Sequence, residues 1–172
     1  MLLQVVTYPD KRLKTKSTEV EEFNNELHSL LDNMYETMLE NNGVGLAAIQ
    51  VGISKKILLI NVPDEDGTQD RDNLYEIINP VIEETSGITQ HQEGCLSVPE
   101  FYEDIERFEN ITLSYQNRYG EKLKIEATEI LSIAIQHEID HLNGKLFIDK
   151  LPYGKRKKFE KEYKKLLKQK KA

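Results

Sequence analysis

Hydrophobic residues recur at intervals of three and four in three parts of the chain, and this spacing predicts three helices. The first helix begins after a capping residue, either Asn24 or Asn25. The second runs from Thr128, which can cap its start, to Gly144, which suits the left-handed backbone at a helix end. The third lies within residues 153–172.

The stretch between the first two helices contains aliphatic runs that predict β-strands. Residues 56–62 form one strand and residues 74–84 another, and Pro80 indicates an edge or a bulge in the second. Residues 63–73 between them are acidic and are expected to form a mobile loop.

A hairpin is predicted just before the second helix, because residues 111–115 and 122–127 flank the turn residues Arg118-Tyr119-Gly120. The order of elements predicts an α+β fold. In it, mostly antiparallel sheets pack around the central second helix, and another helix lies at the C-terminus.

Length and composition fit one globular domain, since 172 residues with 38% hydrophobic content can bury a proper core. No apolar run approaches 18 residues and no leader pattern is present, so we expect a cytoplasmic protein that does not enter a membrane. The single cysteine agrees with a reducing compartment and leaves its thiol free for other chemistry.

Charge is distributed unevenly along the chain. Residues 153–172 hold ten Lys or Arg against two Glu, a net charge of +8, which leaves −15 for residues 1–152. This contrast predicts an acidic body, residues 1–152, followed by a basic helical tail. The tail could dock on the body or approach a polyanion, but a solvated helix with frayed ends is an equally good interpretation.

The segment His137-Glu138-Ile139-Asp140-His141 carries the clearest chemistry in the chain. On a helix the two imidazoles lie one above the other and can bind one metal ion, and the glutamate after the first histidine can act as a general base. This HExxH pattern by itself suggests a zinc protease. A catalytic metal site normally takes three protein ligands, so another residue has to supply the third.

Two further segments are candidates for the rest of the site. Residues 43–52 are rich in Gly and Ala, which leaves the backbone bare for another chain, although tight packing alone would also explain them. Gln50 in this segment has a side-chain amide that can donate hydrogen bonds. Cys95 and His91 are the possible third ligands, and Cys95 is preferred because a thiolate is a good soft ligand and Gly94 frees its backbone.

Three blocks, GVGLAAIQ at 43–50, EGCLS at 93–97 and QHEIDHLNG at 136–144, together resemble the three motifs of the peptide deformylases over essentially the whole chain. The resemblance implies that Cys95, His137 and His141 bind the metal, usually Fe(II), with Zn(II), Ni(II) or Co(II) possible. It implies removal of the formyl group from N-terminal formylmethionine with release of formate. Metal-bound hydroxide would attack the formyl carbon, with Glu138 as general base and acid.

The resemblance also assigns residues around the metal. It makes the Gln50 amide and the Leu96 backbone N–H the donors to the oxyanion. Arg107 matches an arginine of the family, and we expect it to pair with Asp140 behind the ligands. His91 falls at a pocket position that is usually apolar in the family. The residues implied to bind the substrate are Val44, Gly45, Glu93, Gly94, Ile130, Ile133 and Ala134.

The partners implied are nascent N-formylmethionyl polypeptides, and the basic tail could contact the ribosome. We expect a monomer. One alternative is a metallopeptidase that cuts internal bonds, which would share HExxH but neither the Cys ligand nor the Gly-rich block. Another is a nucleic-acid-binding module in which the metal is purely structural.

Overall fold

The computed structural model describes residues 1–171, and Ala172, the last residue of the predicted tail, lies outside them. The helices are α1 (Asn25–Glu40), α2 (Glu129–Leu142) and α3 (Tyr153–Lys171), and the strands are β1 (Gly45–Ala47), β2 (Ile57–Ile60), β3 (Tyr75–Cys95), β4 (Val98–Gln116) and β5 (Lys122–Thr128). The strands form one antiparallel sheet in the order β1-β2-β3-β4-β5. The predicted α+β fold, including its C-terminal helix, is confirmed.

The interior strand β2 shows how the two main helices cover the sheet. Ile57 and Leu59 pack in the core that includes α1, whereas Leu58 and Ile60 pack in the core that includes α2. Alternate side chains of a strand point to opposite faces, so a strand covered on both faces reads as a continuous apolar run. The sheet is therefore sandwiched between α1 and α2.

The first helix follows the predicted pattern closely. The Asn24 side chain accepts a hydrogen bond from the Leu27 N–H at 3.0 Å, which satisfies one of the free donors at the helix start. Leu31, Met34 and Met38 are fully buried against the sheet. The apolar stripe read from the sequence is thus the face of α1 that packs on β1 and β2.

The long hairpin of β3 and β4 extends well beyond the predicted strands. A bulge at Asn79-Pro80 shifts the register, because Ile78 pairs with Gln116 but Val81 pairs with Ser114. This confirms the bulge indicated by Pro80. Between residues 81 and 92 most of β3 is exposed, so no apolar alternation marks this part as a strand.

Thr128 directly precedes α2, as predicted, but its side chain makes no capping hydrogen bond. The middle of α2 is tied to β4 by Gln136. The Gln136 Oε1 accepts from the Phe108 N–H at 3.0 Å, and Nε2 donates to the Phe108 carbonyl at 2.8 Å. Since β5 pairs with β4 only as far as Asn110, this amide supplies the next contact along the β4 edge.

The C-terminal helix docks on the rest of the chain through aromatic residues. Phe159 and Tyr163 of α3 are 1% and 6% exposed. The Phe159 ring lies 4.4 Å from that of Phe101 and 5.4 Å from that of Tyr8, measured between centroids. Because this apolar face is buried, α3 is not a helix surrounded by solvent on all sides. No helix within residues 1–171 is both long and apolar enough to cross a membrane.

Replacing Phe159 by Ala should lower the free energy of unfolding by about 3–5 kcal/mol, because it removes a fully buried ring and leaves a cavity. Urea denaturation followed by circular dichroism measures the change. Lys164→Ala, at an exposed position of the same helix, is the control and should change stability by less than about 0.5 kcal/mol. Equal midpoints for the two variants would show that α3 does not contribute to the core.

Candidate metal centre

Cys95 lies at the last position of β3, where the chain turns back into β4. It pairs with Val98 across a two-residue turn made of Leu96 and Ser97. The Ser97 N–H donates to the Cys95 Sγ at 3.4 Å, and the Gln50 Nε2 donates to it at 3.5 Å. The hairpin turn therefore fixes the direction of the sulfur.

His137 and His141 project from α2 toward this turn. Cys95 Sγ is 3.4 Å from His141 Nε2, and one ligand atom from each of the three residues lies within 4.8 Å of the other two. Metal–ligand distances of about 2.3 Å for sulfur and 2.0–2.1 Å for nitrogen place tetrahedral ligand atoms roughly 3.5 Å apart. The three residues thus fit a divalent metal ion, with one position left for a small ligand.

Glu138 lies between the two histidines, on the side of the site that faces the cleft. Its Oε1 is 3.8 Å from His137 Nε2 and 3.7 Å from His141 Nε2, and its Oε2 is buried without a hydrogen-bond partner within residues 1–171. Burial raises the pKa of Glu138 to about 7. A carboxyl group with this pKa can both accept and donate a proton near neutral pH.

Gly45 of β1 leaves the space in which Glu138 packs. A Cβ at Gly45 would lie 3.1 Å from Glu138 Cγ and 3.0 Å from Ile60 Cδ1. The absence of a side chain here is therefore needed for the Glu138 position, in addition to the bare backbone that the sequence indicated.

Arg107 joins β3 and β4 to α2. Its Nε and Nη2 each donate to Glu93 at 2.8 Å, and its Nη1 donates to Asp140 at 2.6 Å. Arg107 is 4% exposed and Glu93 5%, so both charges are almost completely removed from water. Burial by itself would raise the pKa of Glu93, but hydrogen bonds from Arg107 and His137 outweigh it and hold that pKa at about 2.

The resemblance implied that Glu93 binds substrate, but its carboxylate is hydrogen-bonded to His137 and Arg107. One of its oxygens accepts from His137 Nδ1 at 2.7 Å, and both are occupied by Arg107. Although Glu93 borders the cleft, its carboxylate orients His137 so that Nε2 points to the metal position. Burial lowers the pKa of His141, which keeps that imidazole in the neutral form that binds metals.

Gln50 has a fixed orientation beside the sulfur. Its Oε1 accepts from the Ala47 N–H at 2.9 Å, so Nε2 is directed to Cys95 and to the Ser97 Oγ at 3.1 Å. Leu96 follows Cys95 in the turn, and its side chain packs against the core beneath α1. Both residues are therefore held close to the metal position by neighbouring structure.

An open cleft of about 660 Å³ leads to the site. One wall comes from the loop and strand that contain Val44 and Gly45, and another from Ile130, Ile133 and Ala134 of α2. The predicted substrate-binding residues line this cleft, together with Gly94 and His91. His91 is exposed and lies at the margin of the cleft, not among the three ligands.

Sequence reasoning missed Tyr102, which also lines the cleft and is 64% exposed. A Cβ at Gly94 would collide with the Tyr102 ring, so the ring rests on the bare backbone next to Cys95. Tyr102 lies opposite Gly94 because Glu93 pairs with Glu103. No local pattern in the sequence predicts that register. Ser97 was also missed as the acceptor of the Gln50 amide, although it belongs to the EGCLS block.

Comparison with known proteins decides the family. The polypeptide deformylase family model matches residues 2–157 of this chain. The chain belongs to the peptide deformylase family. Family membership makes it a hydrolase that removes the formyl group from peptides beginning with N-formylmethionine.

Individual peptide deformylases are similar over nearly their whole length. The chain is 56% identical to the peptide deformylase of Helicobacter pylori strain HPAG1 over 170 residues, which covers 99% of this chain and 98% of that protein. It is 58% identical to that of Wolinella succinogenes over 164 residues, with 95% and 96% coverage. The crystal structure of peptide deformylase from Ehrlichia chaffeensis matches with a TM-score of 0.91 at 39% identity, with both chains fully covered.

Replacing Arg107 by Met in this deformylase should weaken metal binding by about 10- to 100-fold, because Glu93 would lose the cation that orients it toward His137. Competition with a chelator measures the affinity. Arg12→Met removes a guanidinium from an exposed ion pair with Asp10 and should leave the metal affinity unchanged. A similar affinity for both variants would contradict the orienting role of Arg107.

Proposed function

We propose that this deformylase uses a divalent metal ion held by Cys95, His137 and His141, with Glu138 as general base and acid. The observation that carries the proposal is the Glu138 Oε1 position, less than 4 Å from the Nε2 atoms of both histidines. A bound divalent ion lowers the pKa of its water ligand from about 15.7 toward roughly 7, which provides a nucleophile at neutral pH.

Glu138 can take the proton from the attacking water, since its raised pKa is close to neutrality. Attack on the formyl carbon places negative charge on the formyl oxygen. We assign two donors to this oxygen, the Gln50 Nε2, which lies 3.5 Å from Cys95 Sγ, and the N–H of Leu96, the residue that follows Cys95. A contact of this kind is worth about 3–4 kcal/mol per donor. Glu138 then gives its proton to the departing amine, which releases formate and the free N-terminus.

The edge of β1 supports an extended binding mode for the peptide. The Val44 carbonyl accepts from the Asn61 N–H at 2.8 Å, so Val44 is hydrogen-bonded across to the β2 side. Hydrogen-bonded and non-bonded residues alternate along an antiparallel strand, so the N–H and C=O of Gly45 point away from β2. Because β1 is the edge strand, these groups can pair with a substrate backbone in the manner of strand addition.

The apolar wall of α2 supports recognition of the methionine side chain. Ile130, Ile133 and Ala134 precede His137 on the helix and line the cleft with Val44. A structure of peptide deformylase from Acinetobacter baumannii with Met-Ala-Ser bound matches this chain with a TM-score of 0.82 at 35% identity, covering 88% of this chain and 99% of that one. We assign the corresponding peptide class to this cleft.

Fe(II) is the metal we assign to the site, with Zn(II), Ni(II) or Co(II) able to replace it. A thiolate with two imidazoles suits these ions, whereas Mg²⁺ and Ca²⁺ prefer oxygen ligands. Both iron and Cys95 can be oxidised, so the site should be sensitive to oxygen. All three ligands come from one chain, which supports a monomer, and the free thiol supports a cytoplasmic location.

Protein purified without oxygen should contain iron and release formate from formyl-Met-Ala-Ser. Glu138→Ala should retain the metal and lose activity by about 10²- to 10⁴-fold, because it removes only the proton carrier. Metal analysis and formate assays on the same samples measure both effects, and Glu126→Ala, on exposed β5, is the control. Metal-loaded wild type that releases no formate would overturn the proposal, and cleavage of an unformylated peptide would favour a metallopeptidase.

The lysine-rich face of α3 supports a contact with the ribosome, and we propose it as a second role of the chain. Lys161, Lys164, Lys165 and Lys168 are spaced i, i+3, i+4 and i+7, so they form one stripe, and all four are exposed. None of them makes an ion pair within residues 1–171. A stripe of this kind can bind the phosphates of RNA.

Replacing these four lysines by Gln should weaken co-sedimentation with ribosomes and reduce its dependence on salt concentration, because fewer phosphates would be neutralised. The substitutions keep Phe159 and Tyr163, which a deletion of the helix would remove from the core. Four Gln replacements of exposed lysines on the body, Lys11, Lys14, Lys122 and Lys124, are the control. Equal binding of the two quadruple variants would exclude the stripe as the main contact.

A further inference from the structure

We propose that Gln69 is a positioning residue that sets the substrate-facing edge of β1. Its Nε2 donates to the Gly43 carbonyl at 2.9 Å and to the Asn61 carbonyl at 2.8 Å. Gly43 lies just before β1 and Asn61 just after β2, so a single amide joins both strands where their pairing ends. The inference rests on the proposed function, since that function assigns peptide binding to the edge of β1.

Asn61 connects this amide to the core. It is fully buried, its Oδ1 accepts from the Tyr35 hydroxyl of α1 at 3.1 Å, and its Nδ2 donates to the Asp70 carbonyl at 2.9 Å. The acidic loop of residues 63–73, which the sequence suggested would be mobile, is therefore tied to α1 through Asn61 and to the cleft through Gln69. Hydrogen bonds through Gln69 and Asn61 thus link the loop to the start of β1.

The segment held by Gln69 packs closely against the side chains of Leu96 and Glu138. A Cβ at Gly43 would lie 2.9 Å from Leu96 Cδ1, and one at Gly45 would lie 3.2 Å from Glu138 Cδ. Inward movement of β1 is thus blocked by close packing, whereas outward movement is opposed by hydrogen bonds at its start. Loss of the amide should let the edge move outward.

An outward shift would weaken the main-chain hydrogen bonds between Gly45 and the peptide. Cys95 ends β3, and His137 and His141 belong to α2. Gln50 is held by Ala47 at the far end of β1, so a shift at the start of β1 should act on Gly45 more than on these residues. Because Glu138 is held by α2 and an outward shift only widens the space beside it, the effect should fall mainly on substrate binding, with little change in the chemical step. This separation distinguishes positioning of the edge from a general loss of structure.

The test is Gln69→Met, which keeps the length of the side chain and removes both donors. We expect KM for formyl-Met-Ala-Ser to rise about 5- to 10-fold, as for the loss of one hydrogen bond, with kcat within about twofold of wild type. Hydrogen exchange at the amides of residues 43–47 should accelerate. Gln4→Met, at an exposed position near the N-terminus, is the matched control and should change none of these quantities.

Gln69→Asn keeps the amide on a shorter side chain that can reach only one carbonyl, and it should give a smaller rise in KM. It also serves if Gln69→Met does not fold. Unchanged KM and exchange would overturn the proposal, as would a fall in kcat or metal content with unchanged KM. If wild type released no formate, the proposed function would fail. Exchange at residues 43–47, measured with and without the peptide Met-Ala-Ser, would then still decide whether Gln69 holds the edge.

Discussion

The buried charge of Arg107 is the constraint on which the metal centre depends. A guanidinium that is 4% exposed costs several kcal/mol to remove from water unless carboxylates compensate it. Arg107 of β4 forms ion pairs with two carboxylates, Glu93 of β3 and Asp140 of α2. These pairs hold the helix against the hairpin. Glu93 in turn bonds His137. The direction of one ligand thus follows from satisfying a single buried cation.

Amide side chains complete the sheet at three places where strand pairing stops. Asn79 accepts from the Val20 N–H and donates to the Val20 carbonyl, both at 2.9 Å, beside the bulge of β3. Gln136 makes the same two-way contact with Phe108, and Gln69 bridges Gly43 and Asn61. Unpaired backbone groups in a buried setting are costly, so an amide that can donate and accept is well suited to these positions. Gln69 bonds Gly43, which lines the cleft, and Gln136 directly precedes His137.

Catalysis and the proposed ribosome contact use separate parts of one chain. The three side chains that could hold a metal ion come from the end of β3 and from α2, whereas the lysine stripe lies on α3. The family match ends at residue 157, near the start of that helix, although the Helicobacter relative covers nearly all of it. Phe159 and Tyr163 attach the helix to the body, so the basic stripe has a fixed place relative to the cleft.

Local sequence determined the elements whose signals are local: the span of α1 with its Asn24 cap, the bulge at Pro80, and the helix that presents His137, Glu138 and His141 on one face. These features depend on spacing along a few turns of backbone, so the residues alone specify them. The exposed part of the β3–β4 hairpin could not be predicted as strand, because its residues show no alternation of apolar and polar positions. The bond from Glu93 to His137, the contact of Tyr102 with Gly94 and the bridge made by Gln69 were decided only by tertiary structure. Each joins residues whose proximity depends on strand register and on the packing of α2 against the sheet, which no single segment encodes.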